Sequence, residues 1–313
     1  MGDQSLPLER SWYIGNTFFA ILYGLQLSMY LQSMYHLNVD TANLKAKRSS
    51  KVFYMAYSSL LLVLITIAFA ANLWFGEAMW IEHRDIEGGP VEFFGENIAA
   101  WYNTFGTAAD VTANVLGDGL MLYRCFIFWG HMKLAMVFPT LIYLASVAMG
   151  ITTTIQSGLP NGNFFQGVTV NFGIPWLVLT IVFNILVTAM IVARLLWVQN
   201  KMSSVLGTDV SKRYTGLLAV LVESALPFTV LGIVYLALYI RNLPEALSLA
   251  DIWGAVVALS PQAIILRLAV GAGWTKDAFD RVSTGMELSV VNHGGEEQEE
   301  SQRSKASHPS SHV

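Results

Sequence analysis

Twenty-four consecutive residues at 52–75, VFYMAYSSLLLVLITIAFAANLWF, carry no formal charge. At about 1.5 Å per helical residue such a run spans the roughly 30 Å of a bilayer's hydrocarbon core, which makes it a transmembrane helix before anything else is considered. The run IPWLVLTIVFNILVTAMIVARLLWV at 174–198 has the same character, with Arg194 near its end. Five further segments are long enough, so seven spans are predicted, at about 14–36, 52–75, 102–129, 135–156, 174–198, 216–240 and 250–272. Composition agrees. Apolar residues make up 54% of the 313 and Asp, Glu, Lys and Arg only 13%, against about a quarter charged in soluble domains. That balance argues against a disordered chain or an ordinary soluble enzyme. A net charge of -4, with no basic surface, argues against a nucleic-acid partner.

The cations orient the spans. Placing the N-terminus outside puts Lys45, Lys47, Arg48, Lys51, Lys133, Lys201, Lys212, Arg213, Lys276 and Arg281 in or beside cytoplasmic segments. Only Arg10, Arg84 and Arg241 fall outside. The positive-inside rule then predicts an outer N-terminus and an inner C-terminus, which requires an odd number of spans. The expected organisation is a short extracellular segment 1–13, a seven-helix domain 14–272 and a cytoplasmic tail 273–313. That tail, rich in Glu, Ser and His, reads as disordered from about 290. Residues 76–100 read as a solvated extracellular loop, and the uncharged stretch 157–173 as a segment able to fold over the outer mouth. Trp12, Trp74, Trp101, Trp129, Trp176, Trp197, Trp253 and Trp274 fall near predicted interfaces, where amphipathic rings concentrate.

Ionisable residues at membrane depth mark function, because burying them there costs several kcal/mol. In the third span Asn103, Thr107, Asp110, Asn114 and Asp118 recur at intervals of three and four. They therefore form one helical stripe that must face the bundle interior. The stripe reads either as a ligand site, centred on Asp110 and Asn114 with Thr107 and Asn103, or as glue between helices. Asp118 in the third span and Glu223 in the sixth read as an internal charge network with Arg124 and Arg267, holding helices together. Pro139, Pro227 and Pro261 are expected to interrupt their helices.

Several chemistries fail on residue type. All eight lysines lie outside the spans, so no retinal Schiff base can form at depth. The six histidines lie at helix ends, in loops or in the tail, and Cys125 is the sole cysteine, so no metal centre is expected. Phosphate-loop and nucleophile-elbow motifs are absent. Pro261-Gln262 matches the dipeptide of PQ-loop transporters, without the second copy that their repeats carry. No enzyme activity and no cofactor are expected.

At GDGLMLYRCFIFWG (117–130) and SPQAIILRLAVGAGW (260–274) the chain resembles a group of uncharacterised seven-helix membrane proteins of mushroom-forming fungi. The matching residues are Asp118, Tyr123, Arg124, Cys125 and Trp129, then Pro261, Arg267 and Gly271. The architecture is also similar to that of G-protein-coupled receptors, with Arg124 at the inner end of the third span and Pro261 in the seventh. It departs from the rhodopsin-like pattern at Tyr123-Arg124-Cys125, at Ser260-Pro261-Gln262-Ala263 and in lacking an extracellular disulfide. The resemblance implies a receptor-like protein of the plasma membrane, with the bilayer, an unidentified small molecule and a cytoplasmic signalling protein as partners. A small-solute or proton-coupled transporter using Asp118 and Glu223, or a structural membrane protein, is the alternative.

Overall fold

The computed structural model describes residues 2–39, 48–129, 132–159, 168–203 and 225–270. They are helical almost throughout, with no strand among them. Helix α1 spans Gly2–Val39 and α2 Arg48–Glu77, the latter continuing into a π-helical turn, Ala78–Glu82. A short helix α3 covers Gly89–Asn97, followed by α4, Trp101–Trp129, and α5, Lys133–Ser157. Then come α6, Val168–Ser203, α7, Ala225–Ile240, and α8, Glu245–Ala269. Six of these are long and apolar enough to cross a membrane, and α7 is a shorter apolar helix as described. The predicted sixth span begins at 216, so its first nine residues, Glu223 among them, lie outside the described residues. So do the tail 273–313 and Trp274.

The helices present apolar side chains outwards. Ile14, Ile21, Leu25 and Leu31 are exposed on α1, and Leu141, Leu144, Ile151 and Ile155 on α5. A protein in water does not leave such continuous apolar faces uncovered, whereas lipid satisfies them without cost. The chain is a multi-pass integral membrane protein.

Neighbouring helices pack around a ring: α1 on α2, α2 on α4, α4 on α5, α5 on α6, and α8 back on α1. Helix α7 closes the gap, its Phe228, Tyr235 and Tyr239 packing with Trp176 and Leu177 of α6 and Trp253, Val256 and Val257 of α8. Helix α4 also touches α6 and α8, so it runs through the centre. This central position explains the inward stripe, because α4 has no complete face left for lipid. Gln262 ties three helices together: its Oε1 accepts from Ser58 on α2 (2.7 Å), and its Nε2 donates to Ser33 on α1 (3.2 Å). Pro261 lies inside α8 without ending it, and the dipeptide's visible role is that of a structural clasp.

Three sequence expectations change. Segment 1–13 is not a separate piece, because α1 is already helical from Gly2. The loop at 76–100 is largely structured, with Phe93 and Phe94 of α3 buried against Trp12, Phe75 and Met79. Its turn is set by Gly88 and Gly89 at φ of 94° and 69°, where side chains other than glycine's are strained. Trp12, Trp176 and Trp253 are not belt residues, since each is buried. Trp74, Trp101 and Trp197 are exposed, as the belt requires.

Without a hydrophobic force between helices in lipid, association depends on close packing at small residues. At Gly106 of α4 an added Cβ would lie 2.6 Å from Ala71 Cβ on α2. At Gly24 of α1 it would meet nothing within 4 Å. Gly106→Ala is therefore expected to destabilise the purified protein by about 1–3 kcal/mol through overpacking. Gly24→Ala should stabilise it by roughly 0.5–1 kcal/mol, the usual helical gain. Denaturation in mixed micelles reads both.

Candidate functional site

Helix α4 is polar along one line because Asn103, Thr107, Asp110, Asn114 and Asp118 follow its 3.6-residue repeat. The structure divides that line between two cavities. Asn103, Thr107 and Asp110 line the larger, which has a volume of about 90 Å³ and lies toward the end of the bundle that carries α3. Asn114 and Asp118 line a smaller one of about 20 Å³, deeper along α4, shared with Asn184 of α6 and Ser260 of α8.

The deeper site is closed by hydrogen bonds. Asn184 donates to Asp118 Oδ1 at 2.8 Å, and Thr180 donates to Asp118 Oδ2 at 2.5 Å. Thr180 also lies 3.1 Å from Asn114 Oδ1. A hydroxyl has one proton, so the nearer acceptor, Asp118, takes it. All four side chains are buried. Thr180 and Asn184 are four residues apart on α6 and so present one face to α4. Asp118 is thus held by neutral donors. The expected pairing with Arg124 or Arg267 is replaced by this amide and hydroxyl set, because α6, not an arginine-bearing helix end, is what packs beside Asp118. Arg124 instead lies among Tyr54 and Tyr57 of α2, and its Nη2 has no hydrogen-bond partner. Tyr57 donates to the Leu116 carbonyl at 2.8 Å. Arg194 spreads over Trp197, 4.7 Å from the ring centroid, and Trp129, at 5.7 Å.

The larger cavity has the opposite character. Asp110 lies nine residues into α4, about 13 Å along the axis from Trp101. It accepts no hydrogen bond from any described residue, and its Oδ1 is sealed from solvent. Across from it is Gly254 of α8, where an added Cβ would stand 2.9 Å from Asp110 Oδ1. A second carboxylate, Asp251, enters the same cavity from one turn earlier on α8. Asn72 of α2 donates to its Oδ1 at 3.1 Å, while its Oδ2 has no partner. Gly15 of α1 leaves it room, since a Cβ there would stand 2.5 Å from Oδ2. Asn103 is partly used already, its Nδ2 donating to the Ile98 carbonyl at 2.8 Å. The Thr107 hydroxyl turns back to the Asn103 carbonyl at 3.1 Å.

Trp12, Trp176, Tyr235 and Trp253 form aromatic walls of this cavity. Trp176 and Trp253 meet edge to face at 6.1 Å, and Trp253 donates its indole N–H to the Phe228 carbonyl at 3.2 Å. Sequence reading missed Asp251, because a span begun at 250 leaves it at the interface, whereas α8 starts at Glu245. Its spacing from Ser248 and Gly254, three residues either way, was the available signal. It also missed Thr180 and Asn184, whose i, i+4 spacing inside an apolar run was equally legible.

The hydrogen-bonded character of the deeper site makes a prediction. Asn184→Leu should cost about 1–3 kcal/mol, by leaving Asp118 Oδ1 without a donor in a dry interior. The double variant Asp118→Leu/Asn184→Leu should cost less than the sum of the single ones, measured as a double-mutant cycle by denaturation in mixed micelles. Additive losses would contradict the direct bond. No family model, curated protein or solved structure matches the chain.

Proposed function

We propose that this membrane protein is receptor-like and takes a small molecule into the cavity between α4 and α8. The observation that carries the reading is the contrast between the two halves of the α4 stripe. Asp118 is saturated by Thr180 and Asn184, as interhelical glue should be. Asp110 and Asp251 both line a 90 Å³ space, and each keeps one oxygen without a partner among the described residues, packed against Gly254 and Gly15 respectively. Polar groups left incomplete next to a cavity are how ligand sites differ from structural ones.

The cation distribution along the sequence supports an outer N-terminus, which makes the α3 end the extracellular one and the plasma membrane the natural location. The resemblance to seven-helix fungal proteins and to G-protein-coupled receptors fits a bundle with one central helix. In this reading a ligand entering from outside bridges α4 and α8, and the inner ends of the helices shift to meet a cytoplasmic partner. A transporter would need Asp118 to exchange a proton or solute, and its two hydrogen-bonding neighbours, Thr180 and Asn184, favour a fixed role instead.

The test is a thermal-stability screen of the full chain in nanodiscs against a small-molecule collection, with flux of any hit measured in proteoliposomes. Stabilising compounds are expected, with their effect lost in Thr107→Leu and no flux of the compound. Flux abolished by Asp118→Asn would establish the transporter instead.

A further inference from the structure

The cavity at the α3 end is an electrostatically unfinished object. Two carboxylates, Asp110 from α4 and Asp251 from α8, line it together. Among the described residues lining it there is no Lys, Arg or His. One neutral donor, Asn72, serves the pair. Both carboxylates are accommodated by glycines on the facing helix, Gly254 for Asp110 and Gly15 for Asp251, where any side chain would collide with the carboxylate. Trp12, 4% exposed, also lines this cavity, and its indole N–H has no acceptor among the described residues. Among the described residues the wall therefore gives its two acids one donor and its indole no acceptor.

We infer that the occupant is a small organic ammonium ion, its charge held between Asp110 and Asp251, its alkyl part against Trp176, Trp253 and Tyr235. This rests on the proposal that the cavity binds a small molecule and adds the ligand's chemical class. A carboxylate at membrane depth must be paired, hydrogen-bonded or protonated; Asp118 has two neutral donors, whereas Asp110 has none among the described residues and no cation lies among those lining the cavity. Aromatic faces attract a desolvated cation, and attract an alkylammonium in particular, since its methyl groups gain from apolar contact. Size limits the choice further. An apolar cavity of roughly 150 Å³ takes benzene, so a cavity of about 90 Å³ takes an ion of about five heavy atoms. A water accompanying the ion supplies the acceptor that Trp12 needs.

The test uses three probes sharing one tert-butyl group: tert-butylammonium, tert-butanol and pivalate. Each is titrated onto the full chain in nanodiscs at constant ionic strength, with sodium and potassium chloride as further arms. Binding is read by calorimetry and thermal shift. Tert-butylammonium is expected to bind at least tenfold more tightly than tert-butanol and pivalate. Asp110→Asn, nearly isosteric, should remove that advantage while leaving the weak binding of tert-butanol unchanged, and Asp251→Asn should do the same. Equal binding of tert-butanol or pivalate would overturn the cationic class yet leave a small-molecule cavity standing. Displacement of the ammonium by sodium at equal concentration would assign the site to a metal cation and overturn the organic one. If no probe binds and both Asn variants are well folded, the inference and the small-molecule reading fall together.

Discussion

Helix α4 carries five polar side chains along a line that lipid will not solvate, and the helices around it are arranged to receive them. Hydrocarbon offers no hydrogen bonds, so Asn103, Thr107, Asp110, Asn114 and Asp118 must find partners, water or each other inside the bundle. Helix α6 answers at Asp118 with Thr180 and Asn184. Helix α8 answers at Asp110 only with the space beside Gly254 and a second acid, Asp251. One stripe thus acquires two fates. Where donors converge, the helices are locked; where they are missing, a cavity remains.

The same economy of small and polar residues recurs elsewhere. Gln262 joins α1, α2 and α8 through two serines, giving the ring its closure without a charge. Helix α3 lays Phe93 and Phe94 over Trp12 and Phe75, covering one end of the bundle close to the cavity wall that Trp12 provides. The arginines inside the predicted spans, Arg124, Arg194 and Arg267, lie toward the opposite helix ends, where Arg194 spreads over Trp129 and Trp197. Asp110 and Asp251 thus lie at the end of the bundle away from these three cations.

Much of this was legible in the residues. Uncharged runs set the membrane helices, because length and apolarity alone decide whether a segment can cross. The α4 stripe followed from spacing alone, and Asn103, Thr107 and Asp110 do line one cavity. What spacing cannot supply is the neighbour across the interface. Asp118 suggested an arginine because charges seek opposite charges, yet the helix packed beside it offers an amide and a hydroxyl. Asp251 escaped notice because its depth depends on where α8 begins, and Glu245 is a polar residue that hydropathy places outside. The tryptophans misled for a related reason. A ring near a helix end suits the interface and a cavity wall equally, and only packing separates Trp176 and Trp253 from Trp101.

Thr107 and Asp110 line one cavity, and the proposed site requires that it favour cations and be reached from the outer side. Placing a single cysteine at Thr107, in a chain whose only native cysteine is replaced by Cys125→Ala, allows a direct measurement. Intact cells or oriented vesicles are treated from outside with a trimethylammonium thiosulfonate and, separately, with its sulfonate counterpart. The account predicts modification from the outer face, with the cationic reagent at least tenfold faster, an advantage that Asp110→Asn reduces. Equal rates for the two reagents, or reaction only from the inner face, would contradict it.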